Sequence, residues 1–122
     1  MTRINLGINP NELTNKHLLA EHREIKRIPN MVKSGRMSNK GQPKEFTLGI
    51  GHMKFFYDKL GYLKKRYVEI YNECLLRGLN VQNYISAWDG IDVKLMNDYI
   101  PTERDIKLIE QRINERLKQM DL

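Results

Sequence analysis

Two residues near the start of the chain could do chemistry together: Thr2, directly after the initiator methionine, and Glu24, on the charged segment that follows. A methionine before a small residue is usually removed, so the mature chain is expected to begin at Thr2. A free α-amine there has an unperturbed pKa of about 7.7–8.0, which leaves a useful uncharged fraction near neutral pH. Neutral amines attack carbonyl-like carbons and form Schiff bases. A chain that keeps Met1 has an amide at that nitrogen and no such nucleophile. Around Glu24 stand His17, Glu21, Arg23 and Arg27. An amine, a carboxylate and an excess of cations could open a sugar ring on DNA.

The charges on this segment are sorted. Projected as a helix, Leu13, Leu18, Ala20, Ile25, Ile28, Met31 and Val32 fall on one broad arc, the side expected to pack inward. The opposite side carries Lys16, Arg23, Lys26, Arg27, Asn30 and Lys33, a face suited to a phosphate backbone. The anomaly is that His17 and Glu24 share the apolar arc. A carboxylate there is costly unless paired. Two readings stay open: a buried Glu24 satisfied by His17 or an arginine, or a carboxylate set into a cleft beside the N-terminal amine.

Composition narrows the partners. The 122 residues carry 21 Lys and Arg against 15 Asp and Glu, a net charge of +6. Such an excess favours a polyanion, because neutralising phosphates releases condensed counterions. The single cysteine, Cys74, excludes an intramolecular disulfide framework and a multi-cysteine zinc site. No apolar run approaches a membrane span and no signal-peptide pattern opens the chain. The expectation is a soluble, cytoplasmic monomer that needs no metal or cofactor and no membrane.

The elements that must position these residues read as all-α: one domain over residues 1–122, with three main helices, an extended N-terminal segment and irregular basic loops. The first helix is expected to start with Asn9 as cap and Pro10 at the first helical position, or with Asn11 as cap, and to run to about Ser34-Gly35. Residues 35–50 read as a polar connector bearing Arg36, Lys40 and Lys44, interrupted by Pro43 and glycines. The second helix follows the stripe Met53, Phe56, Leu60, Leu63, Tyr67, Ile70 and Cys74, and Gly78 is placed to end it. Cys74 reads as a small buried hydrophobe. Residues 79–101 read as loop with a short turn. The third helix opens Thr102-Glu103-Arg104-Asp105, like a capping box, and carries Ile106, Ile109, Ile113, Leu117 and Met120 on one stripe. His22 and His52 read as surface or capping residues rather than ligands.

Five ordered blocks now carry a resemblance: residues 1–6 (Met-Thr-Arg-Ile-Asn-Leu), 17–24 (His-Leu-Leu-Ala-Glu-His-Arg-Glu), 49–60 (Gly-Ile-Gly-His-Met-Lys-Phe-Phe-Tyr-Asp-Lys-Leu), 73–78 (Glu-Cys-Leu-Leu-Arg-Gly) and 98–101 (Asp-Tyr-Ile-Pro). Together they resemble the phage and algal-virus endonuclease V type of pyrimidine-dimer DNA glycosylase with abasic-site lyase activity. The resemblance implies that the Thr2 amine attacks sugar C1′, the base leaves, and an imine joins enzyme to DNA. It implies that Glu24 stabilises the cationic sugar and assists proton removal at C2′, so that β-elimination breaks the strand. It assigns Arg23 and Arg27 to phosphates at a kinked duplex, places Arg3 and His17 in the same site, and matches Arg112 to a further basic residue. Arg116 falls where the family has a lysine. In this family the base opposite the lesion is extruded.

Departures bear on substrate. The family continues into a tail rich in Trp and Tyr, whereas this sequence ends Lys118-Gln119-Met120-Asp121-Leu122, and its tryptophan, Trp88, stands before the third helix. His22 replaces a tyrosine or apolar residue, and the loops at 35–46 and 84–97 differ in length. The expected partner is double-stranded DNA with a damaged or modified base, pyrimidine dimers first among them. Lys26, Lys33, Arg36, Lys40 and Lys44 are read as further contacts to the DNA backbone. Two other classes remain: a non-catalytic DNA-binding module that uses the basic helix and loop merely as a phosphate grip, and an interaction protein whose charges are solvated surface.

Overall fold

A computed structural model describes residues 2–120; Met1, whose removal is expected from the sequence, lies outside them, as do Asp121, Leu122 and the side chain of Met120. Four α-helices form among the described residues: α1 (Asn15–Glu24), α2 (Arg27–Lys33), α3 (Leu60–Leu76) and α4 (Glu103–Met120). Short 3₁₀ turns lie at Pro10–Glu12, Lys54–Phe56, Ile85–Trp88 and Val93–Leu95. No strand forms among these residues, and the all-α expectation holds.

The first expected helix is corrected into three pieces. Asn9 does cap Pro10, its side chain accepting from the Asn11 N–H, but this is only a 3₁₀ turn that ends at Leu13. The cap of α1 is Thr14, whose Oγ1 accepts from the His17 N–H at 3.2 Å. The break between α1 and α2 has its cause in Pro29, four residues after Ile25. Proline has no N–H for the Ile25 carbonyl, and its ring crowds that same carbonyl. The chain therefore turns through Ile25 and Lys26 and restarts with Pro29 in the first turn of α2, where the missing donor is harmless.

The second expected helix also starts later. Phe56 and Leu60 are both buried, as the stripe requires, but the helix proper begins at Leu60. Lys59 leaves helical geometry to pair with Met96 across an isolated bridge, and the Asn97 carbonyl then accepts from the Tyr62 N–H, an otherwise orphaned donor of the first turn. At the far end Gly78 takes φ +73°, its N–H donating to Leu75 and the Leu79 N–H to Cys74, so the helix stops where the glycine allows it. In α4, Thr102 and Asp105 exchange the reciprocal bonds of a capping box, and Tyr99 donates to the same Asp105 carboxylate.

Around the α1–α3 contact the core gathers Leu18, Ile25, Leu63, Tyr67 and Ile70. The polar connector adds Met37 and Phe46, two buried residues in a stretch that reads as solvated. His22 and His52 are corrected from surface to interior. His22 packs among Tyr67, Tyr71 and Tyr84 with Nε2 3.1 Å from the Tyr67 hydroxyl, and burial lowers its pKa.

The element most relevant to function is the extended start. Ile4 and Leu6 are wholly buried, each contributing roughly 1.5–3 kcal/mol of apolar burial. Polar bonds hold the same segment: the Ile4 N–H donates to His52, the Asn5 amide to Glu21, and Arg66 donates to the Ile8 carbonyl. The first residues are thus fixed between α1, α3, α4 and the 49–52 turn.

Candidate active site

At the buried base of the site is a carboxylate that the sequence analysis does not single out. Glu21 lies one turn before Glu24 on α1 and is 1% exposed. Arg66 of α3 donates to both its oxygens, through Nε to Oε2 and through Nη2 to Oε1 at 3.0 Å. Burial works against the Arg66 charge, and the Glu21 carboxylate outweighs it, holding the guanidinium above its ordinary pKa. Asn5 Nδ2 donates to Glu21 Oε1 at 2.7 Å, and Arg112 Nη2 of α4 donates to Asn5 Oδ1 at 2.9 Å. A continuous polar chain, Arg66–Glu21–Asn5–Arg112, therefore ties three helices to the N-terminal segment and aims Arg112.

This resolves the anomaly on the apolar arc. A buried carboxylate satisfied by an arginine does exist, and it is Glu21 rather than Glu24. The signal was in the sequence: Arg66 falls between Leu63, Tyr67 and Ile70 on the inward stripe, as Glu21 falls between Leu18 and Ile25. Among the described residues Glu24 keeps only a loose ion pair to the exposed Arg23, at 3.7 Å, with its side chain 13% exposed. It lines a cavity of about 370 Å³ together with Arg3, Lys16, His17, Arg112 and Arg116.

That cavity is built for an anion beside a carboxylate. Burial, then the positive charges of Arg116, Arg112, Lys16 and Arg3, lower the pKa of His17. Its Nδ1 is buried with no hydrogen-bond partner among the described residues. Arg112 is itself pushed down to about 10, by burial first and by Arg3 next. Cations that depress one another in this way are relieved by a bound phosphate.

Thr2 lines an adjoining cavity of about 510 Å³ with Met31, Met37, Leu48 and His52. Arg3 and Arg112 line both cavities, the one containing Thr2 and the one containing Glu24. Thr2 is buried, and its Oγ1 accepts from Arg27 Nη1 at 3.4 Å. His52 closes the same region, accepting from Ile4 through Nε2 and donating through Nδ1 to the Thr47 carbonyl.

The remaining cations divide. Arg23 and Arg27 are exposed at the end of α1 and the start of α2, and Lys33 is exposed at the end of α2. Lys26 lies 3.4 Å over the Tyr84 ring, a cation–π contact, and lines neither cavity. Arg36, Lys40 and Lys44 are exposed on the connector and also line neither cavity. Among the described residues no group of three His, Cys, Asp or Glu side chains could hold a metal ion, and no helix is long and apolar enough to cross a membrane.

Comparison with known families gives this arrangement its context. A family model described as pyrimidine dimer DNA glycosylase matches residues 1–86. The matched segment contains Thr2, Arg3, His17, Glu21, Glu24, His52 and Arg66, while Arg112 and Arg116 reach the site from α4 beyond it. Since the match takes in 86 of the 122 residues, the chain belongs to the pyrimidine dimer DNA glycosylase family.

Proposed function

We propose that this protein is a glycosylase and abasic-site lyase that acts at pyrimidine dimers in double-stranded DNA through the α-amine of Thr2, freed by removal of Met1. The amine attacks sugar C1′, and the base leaves with the electron pair of the glycosidic bond. Loss of one proton from nitrogen leaves a glycosylamine; its lone pair then expels O4′, which takes up a proton, and the opened sugar is held as the protonated imine. Glu24 stabilises the cationic sugar electrostatically and then takes a proton from C2′, so that the C3′–O bond breaks and the 3′ phosphate departs. The amine divides one difficult displacement into two easier steps.

The observation that carries this reading is that Arg3 and Arg112 line both the cavity containing Thr2 and the cavity containing Glu24. A phosphate held by these two arginines would place its sugar beside both cavities. Arg3, His17, Arg112 and Arg116 then hold the backbone at the reacting nucleotide, with Arg23, Arg27 and Lys33 on flanking phosphates.

Borohydride trapping on two duplexes tests the proposal, one with an abasic site and one with a cyclobutane thymine dimer, with the cross-linked peptide mapped. The expected result is an adduct on the Thr2 α-nitrogen with both. An adduct on the abasic duplex alone keeps the chemistry and rejects the dimer. No adduct from a chain with a free N-terminus overturns the mechanism.

A further inference from the structure

Beside the catalytic cavities an apolar side chain is held wholly in water. Ile50 is 100% exposed, at the tip of Gly49-Ile50-Gly51-His52. Among the described residues it is the one exposed large apolar side chain that lines either cavity, and it shares that lining with Thr2, Arg3, Lys54 and Arg112. Val68, Leu75, Leu76, Val93 and Ile100 are also exposed, and none of them lines a cavity with Thr2 or Glu24.

The turn that presents Ile50 is stiff. Gly49 and Gly51 take φ of +73° and +89°, left-handed conformations that other residues rarely adopt. The His52 N–H donates to the Gly49 carbonyl at 3.1 Å and closes the turn, and the Phe55 N–H donates to Gly51 at 2.9 Å. A Cβ on Gly51 would stand 2.8 Å from the Pro43 ring, so the base of the turn is packed against the connector. The His52 side chain accepts from the Ile4 N–H at 2.9 Å, which fixes the turn relative to a backbone two residues from Thr2. Isoleucine adds its own stiffness, being β-branched at χ1.

We infer that Ile50 is a wedge that enters the stacked bases of the duplex beside the reacting nucleotide, an inference that rests on the DNA glycosylase reading above. An enzyme that works on a sugar inside a duplex has to open the stack. Rigid apolar side chains do this by replacing a base–base contact, and the kinked duplex then meets more of the protein surface. Here Arg3, Lys54 and Arg112 bring positive charge to the cavity that Ile50 also lines, so the duplex backbone is drawn to the side from which the wedge projects.

The test uses a duplex with a tetrahydrofuran abasic analogue, which cannot be cleaved by β-elimination, and 2-aminopurine next to the site as a reporter of unstacking. Wild-type protein is expected to raise the 2-aminopurine emission several-fold. Ile50→Leu should keep most of that rise, and Ile50→Ser should lose it almost entirely, with helical circular dichroism intact in both because the side chain supports no core contact. Unstacking by Ile50→Ser equal to wild type would overturn the wedge. Cleavage of a true abasic duplex by wild type, measured alongside, separates the two layers. Cleavage with unstacking that ignores Ile50 rejects the wedge alone, whereas neither cleavage nor unstacking by wild type rejects the glycosylase reading and the wedge with it.

Discussion

The imidazole of His52 accepts the backbone N–H of Ile4 through Nε2, at 2.9 Å, and its Nδ1 lies 2.9 Å from the Thr47 carbonyl. Only a lone pair can receive an N–H, so Nε2 is bare and Nδ1 carries the hydrogen that Thr47 accepts. The ring is therefore neutral. Burial is the main reason that its pKa is pushed down to about 4, against the pull of the Thr47 carbonyl and with help from Arg112 and Arg3.

The consequence is acid sensitivity. The unfolded chain binds a proton at His52 near pH 6.5, and the folded chain does not until about pH 4. Stability is whole above pH 6.5 and is lost as pH falls through that window, by up to about 3 kcal/mol. His17 and His22, also lowered, act in the same direction. Urea midpoints between pH 7 and pH 4 should fall more steeply for wild type than for His52→Gln; equal slopes would remove His52 as the cause.

Glu21 and Glu24 should separate stability from activity. Glu21→Gln leaves the buried Arg66 charge without its partner, and breaking such a pair costs about 3–5 kcal/mol. Among the described residues Glu24→Gln breaks no bond shorter than the 3.7 Å contact to Arg23, and it should cost less than about 1 kcal/mol. Chemical denaturation of the two variants side by side decides it, and equal losses would contradict the assignment of roles.

On DNA the order reverses. Glu24→Gln should bind a damaged duplex much as wild type does and cleave it at least about 10²–10³-fold more slowly. Gel-shift and single-turnover strand cleavage on the same substrate check this. Near-normal cleavage would exclude Glu24 from the chemistry.

Arg112 and Lys26 should differ in the salt dependence of binding. Arg112→Gln removes the phosphate contact proposed above and is expected to reduce the slope of log K against log salt by about 1. Lys26→Gln should leave that slope unchanged and instead cost about 0.5–1 kcal/mol of stability, through loss of the contact to Tyr84. Titrations at several salt concentrations, with thermal melts of both variants, distinguish the two cations.

Much of this protein is legible along the chain because periodicity reports which side of a helix is buried. The stripe from Phe56 to Cys74, the glycine stop at Gly78 and the capping box at Thr102 and Asp105 are local patterns, and local physics suffices to form them. The division of the first helix was equally local, since Pro29 removes the N–H that the Ile25 carbonyl would need. The late start of α3 was not, because Lys59 is drawn from the helix by Met96, 37 residues away.

By itself the sequence determined an all-α chain with a cationic first helix and offered two candidate reactive groups, Thr2 and Glu24. Only the tertiary structure decided which glutamate is structural and which is free. Glu21 and Glu24 both follow the apolar arc of one helix, and what divides them is the position of Arg66, 45 residues on, whose guanidinium meets one carboxylate and not the other. Spacing places a charge on a face, but whether that charge is buried and paired or left open depends on what another helix brings opposite it.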